Sequence, residues 1–153
     1  MRYLINTAKL FTLMVVVTLM AVVTPATAQS SKAAAPKAKP VTFVMQMTVS
    51  EDIQQRRAFM QIAKVLEDLG PDKVKIEVVA YEGGILSLLT NNASTAGLVA
   101  SLHRQGVKFK ACRISMRASD LAETDFPLEV EFVPAGAPEM IRLQLQGARY
   151  WRP

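Results

Sequence analysis

Apolar positions change their period several times after residue 40. "VTFVMQMT" (41–48) is a near-continuous apolar run of strand length, the pattern of a strand covered on both faces. Phe59, Ile62, Ala63, Leu66 and Leu69 then recur at helical spacing, and Gly70-Pro71 supplies the stop. Ser50 is placed to cap that helix, with Glu51 and Asp52 in its positive first turn. "VKIEVVAY" (74–81) reads as a second strand ending at Gly83-Gly84, followed by a short helix "GILSLL", a polar loop "TNNAST" and a helix "AGLVASLHRQG" closed by Gly106. "VKFKAC" (107–112) is a third strand with apolar residues at alternate positions, and "ISMRASDLAETDF" holds a short helix. "LEVEFVP" (128–134) is a fourth strand, Pro138 suits a first helical turn, and "EMIRLQLQ" carries the last helix to Gly147. The tail "ARYWRP" is long enough for a brief final strand.

Strands alternating with helices through short links predict an α/β domain with a parallel sheet and helices on both faces. Lys108 and Lys110 do not suit a buried sheet interior. Either the third strand is partly open to solvent or the lysine stems reach the surface.

The segment before residue 41 carries a different signal. Arg2 and Lys9 precede an uncharged stretch from Leu10 to Val23, and Pro25 stands ahead of Ala26-Thr27-Ala28, an A-x-A cleavage site. The 14 residues of that stretch fall short of the ~20 that span a bilayer, so a cleaved secretion signal over 1–28 is expected rather than a retained anchor. Residues 29–40, "QSSKAAAPKAKP", have no large apolar side chain and read as a disordered linker. One domain over 41–153 remains, of a size for a single core.

Charge then excludes a class. Five of the 18 lysines and arginines lie before residue 41, which leaves 13 against 13 acids in the domain. A formally neutral domain lacks the basic excess of a nucleic-acid footprint. The basic linker is a weak signal for an anionic surface, and stable membrane insertion is not expected after cleavage.

The chain has one cysteine, Cys112, and one histidine, His103. Ligands of open parallel sheets collect beyond the C-terminal ends of the strands. Cys112 ends the third strand just before a short helix, where unsatisfied N–H groups favour a thiolate. Arg113 and Arg117 add to this if they turn toward the sulfur. A packed, buried thiol and an intermolecular bridge remain open beside a reactive group. His103 reads as a capping or surface residue, and zinc spacings are missing. Glu82-Gly83-Gly84 reads as a tight turn needing positive φ, with a small anion nest as the alternative, and no dinucleotide or P-loop pattern is present. Asn92-Ala93-Ser94 fits a glycosylation acceptor, which a bacterial-type signal makes irrelevant. Tyr150 and Trp151 suit a covered sheet edge or a subunit interface.

Three blocks taken together, "VKIEVVAYEGGILSLLT", "GVKFKACRISMR" and "VEFVPAGAPEMIRLQLQGARYWRP", resemble the DsrE/DsrF-like family of sulfur-handling proteins, in particular its small exported members. The resemblance implies a three-layer α/β/α sandwich on a mostly parallel five-strand sheet, assembled into oligomers. In the family's sulfur-relay branches it also implies a cysteine after a central strand that carries sulfur as a persulfide and passes it to a partner. Cys112 matches that cysteine, and Gly84 and Ile85, beside Gly83, match the loop lining its pocket. Exported members commonly read A-C-x-N-T-M-R, whereas this chain has Ile114 and Ser115 in place of the amide and threonine. The expected function is a periplasmic sulfur carrier on Cys112, with Arg113, Ser115 and Arg117 as thiolate stabilisers and no cofactor or metal. A homo-oligomer is the expected assembly, and the role is a carrier's rather than a turnover enzyme's. A non-catalytic binding module and a thiol redox sensor are the alternatives.

Overall fold

Residues 39–153 are described by the computed structural model, so the expected signal (1–28) and all but the last two residues of the expected linker lie outside the described residues. Strand and helix alternate through β1 (Val41–Met47), α1 (Asp52–Leu69), β2 (Val74–Ala80), a 3₁₀ segment (Glu82–Leu88) and α2 (Ala96–Arg104). The second half runs β3 (Lys108–Cys112), α3 (Arg113–Ala118), a 3₁₀ turn (Glu123–Asp125), β4 (Val130–Val133), α4 (Gly136–Leu145) and β5 (Arg149–Trp151). The strands form one five-stranded sheet in the order β4-β3-β2-β1-β5. All four pairings are parallel.

Handedness explains how the helices divide. The steps from β1 to β4 all run toward one edge, so their right-handed crossovers lie on one face. The step from β4 to β5 returns over three strands to the other edge, and α4 therefore crosses the opposite face. Alternating residues follow this division. Met45, Met47, Ile76, Val78, Phe109 and Ala111 pack against α1 and α2 in the main core, where Phe59 meets Phe109 edge to face at 5.7 Å between ring centroids. Val44 and Val79, on the other face, form a smaller core with Met140 and Leu143 of α4. Each such buried side chain contributes roughly 1.5–3 kcal/mol.

Two expectations are corrected. Ser50 does not cap α1; Glu51 holds the N-cap position without a side-chain bond. Ser50 instead packs so tightly on Gly83 that a Cβ there would lie 2.0 Å from its Oγ. Lys108 is exposed, but Lys110 is buried and neither open nor snorkelling. Its ammonium lies 2.9 Å from Glu139 of α4, 3.2 Å from Glu131 of β4 and 3.4 Å from Glu77 of β2. A buried cation is tolerated here because carboxylates surround it.

Candidate functional site

Cys112 is the last residue of β3 and the N-cap of α3, with extended backbone angles of φ −78° and ψ 117°. Its side chain points to the α4 face, as does Lys110 two residues earlier. The residue is 3% exposed. Gly136, which opens α4, donates its N–H to the sulfur at 3.2 Å. A Cβ on Gly136 would lie 2.6 Å from the Cβ and Cγ of Tyr81, so only glycine brings this N–H so close beside the ring.

Ser115, in the first turn of α3, completes the contact. Its Oγ accepts the Glu82 N–H at 2.7 Å. That bond occupies the acceptor side of the hydroxyl and leaves its proton for the sulfur. The effect on the thiol has a definite sign. Burial pushes it up, but the Ser115 hydroxyl and the N–H groups of Ser115, Gly136 and Ile114 outweigh burial and bring it below its ordinary value. Hydrogen bonds to the charged form favour that form. A thiolate held this way is the nucleophilic state of cysteine.

The loop that supplies Glu82 is rigidly supported. Glu82 itself takes the positive φ of 51°, and not Gly83 or Gly84, which corrects the expectation that a glycine does so. A non-glycine residue in that region is strained and is kept there by its surroundings. Gly84 answers a different need: a Cβ would meet the Met47 carbonyl oxygen at 2.1 Å. Fully buried Gln55 of α1 donates to the carbonyls of Val49 (2.8 Å) and Gly83 (3.3 Å), and Ser87 bonds back to the Gly84 carbonyl at 2.7 Å. Ile85 is fully buried in the main core beneath the loop.

The arginines are placed otherwise. The Arg113 guanidinium pairs with Glu123 and lies 5.3 Å over the Phe132 ring, and Arg117 is exposed in the last turn of α3. No described hydrogen bond or ion pair joins either to Cys112. His103 lies in the last turn of α2, ahead of β3, so the length of that strand separates it from Cys112. Tyr81, whose ring packs on Gly136, accepts from Gln46, which accepts from Tyr150 of β5 at 2.6 Å. Tyr81 is held above its ordinary value by burial, then by the charge of Glu82.

Three participants escaped the sequence reading: Gly136, Tyr81 and the Lys110 cluster. A lysine two positions before the cysteine, between Phe109 and Ala111, was the available signal. Among the described residues, no group of three His, Cys, Asp or Glu is arranged to hold a metal ion. No described helix is long and apolar enough to cross a membrane.

The comparisons bear on this architecture. A model described as the DsrE/DsrF-like family matches residues 39–152. No match was found among curated proteins. Among solved structures, the chain is similar to a protein of unknown function from Methanobacterium thermoautotrophicum, at 30% identity and a TM-score of 0.63, over 76% of this chain and 100% of that one. One family model spans residues 39–152, nearly the whole of the domain, so the chain belongs to the DsrE/DsrF-like family, and that membership suggests a role in sulfur relay.

Proposed function

We propose that the protein is a periplasmic sulfur-relay carrier that holds sulfane sulfur as a persulfide on Cys112. The observation that carries the reading is the Gly136 N–H donated to the Cys112 sulfur at 3.2 Å, beside a Ser115 hydroxyl that accepts the Glu82 N–H and helps lower the thiol. The chemistry needs no external oxidant. The Cys112 thiolate attacks a sulfur of an inorganic polysulfide, a new S–S bond forms, and a shorter polysulfide leaves with the electron pair of the broken S–S bond. A partner thiolate then attacks the outer sulfur of the persulfide, and Cys112 departs as the thiolate. The N–H donors serve both ends of this cycle, since each begins or ends with anionic sulfur at the same place. The signal-like N-terminus supports export, and a thiol-bearing partner protein and a homo-oligomer complete the proposal.

Intact-mass spectrometry after brief exposure to polysulfide tests it. Wild type is expected to gain the mass of sulfur and to lose it to a reductant, and Cys112→Ala to gain none. An unmodified wild type, whose thiol alkylates only after unfolding, would sink the carrier reading. The 3% exposure of Cys112 favours a second reading, a non-catalytic binding module with a packed thiol, and that result would select it.

A further inference from the structure

The first turn of α4 meets β3 twice. Gly136 touches the Cys112 sulfur, and one turn later Glu139 reaches Lys110 at 2.9 Å. Lys110 and Cys112 share one face of the strand, and Gly136 and Glu139, three apart, share one face of the helix. The apolar anchors of α4 lie elsewhere: Met140 and Leu143 pack on Val44 of β1 and Val79 of β2. The described contacts that tie α4 to β3 are thus polar. A buried ion pair of this kind seldom adds net stability over apolar packing, so its presence points to a fixed register.

We infer that the Lys110–Glu139 pair is a positioning device: it clamps the first turn of α4 to β3 and so holds the Gly136 N–H on the Cys112 sulfur. Other charges face the same spot. Glu77 of β2 and Glu131 of β4 approach Lys110, and Arg142 of α4 grips the Glu139 carboxylate through Nε at 2.7 Å and through its second nitrogen. Nearest the sulfur, the backbone of Glu82 reaches Ser115, and Arg113 of α3 is paired with Glu123. The inference rests on the reading of Cys112 as a sulfur-accepting thiolate, but its test is separate.

The test is the pH dependence of Cys112 alkylation by iodoacetamide in the purified full chain, for Lys110→Met, Glu139→Met and Lys108→Met. Through-space charge and positioning predict opposite signs for Glu139→Met. Removing an anion near the sulfur would by charge alone favour the thiolate, whereas releasing α4 disfavours it by withdrawing the N–H. The expected result is a slower reaction at any pH below the thiol's titration, by about tenfold for each unit of upward shift, in both Lys110→Met and Glu139→Met. The exposed Lys108→Met, on the same strand and face, is expected to match wild type. Should Glu139→Met fail to fold, Glu139→Gln keeps the shape and is expected to shift the same way by less. A folded Glu139 variant with an unchanged or lowered titration overturns the inference, even where wild type takes up sulfur. A wild type that takes up no sulfur, with variants shifted as expected, overturns only the carrier reading.

Discussion

Around the sulfur, backbone and side chain divide the work, and the division makes the substitutions beside Cys112 predictable. Ser115 donates through its hydroxyl, so Ser115→Ala removes that donor and strands the Glu82 N–H as well. A hydrogen bond to a charged group is worth about 1.5–3 kcal/mol, so the thiol is expected to titrate about one to two units higher. Thiolate absorbance followed against pH measures the shift, and an unmoved curve would remove Ser115 from the site. Ile114 works differently. Its side chain is exposed and only its N–H favours the thiolate, so exchanging it for the amide common in exported relatives leaves the donor in place. Ile114→Asn is accordingly expected to leave the titration within experimental error, and a clear downward shift would give the amide a role of its own.

The elements that build the site were legible in the sequence to different depths. Strand and helix order, the five parallel strands and the place of Cys112 at a strand end followed from periodicity, turn signals and family likeness, because these are local patterns. Gly136 and Lys110 were not legible, because their roles depend on α4 returning across the sheet to lie over β3, a long-range consequence of crossover handedness. Arg113 misled for a related reason: proximity along the chain placed it beside the thiol, while Glu123 and Phe132 draw its side chain away. The loop Glu82–Leu88 shows how firmly one element is set. Its glycines are present for close approach, Gly83 to Ser50 and Gly84 to the end of β1, and Gly84→Ala would push a methyl into the Met47 carbonyl. That substitution is expected to cost about 1–3 kcal/mol by overpacking, read as a lower urea midpoint with an unchanged slope. A wild-type midpoint would show that β1 and the loop can separate.

Across the whole molecule, the uneven covering of the sheet decides where charge is buried and hence how stability responds to acid. Three connections lie on one face, so among the described residues the other has α4 alone, and the polar cluster sits beneath that helix. Glu139 is held at about 2, down from 4.5: the Arg142 bond lowers it most, burial opposes, and Lys110 lowers it further. A carboxylate depressed in the folded state contributes stability that is fully present above its unfolded value and is lost as the pH falls toward the folded one. The window for Glu139 therefore runs from about 4.5 down to about 2. Lys110 has the opposite sign. Burial lowers it, but Glu139, Glu131 and Glu77 raise it further, so its contribution persists until the pH climbs past 10.5. The cluster should thus leave stability flat between weakly acidic and strongly alkaline conditions, with a decline confined to low pH. Denaturant melts at pH 7, 5, 4 and 3 are expected to show wild type losing stability mainly over the last two steps. Glu139→Gln, already weaker at pH 7, should lose less over those steps, because the group that must take up a proton is gone. Parallel curves for the two proteins would mean that other carboxylates carry the acid response and that the clamp on α4 is not where the fold gives way.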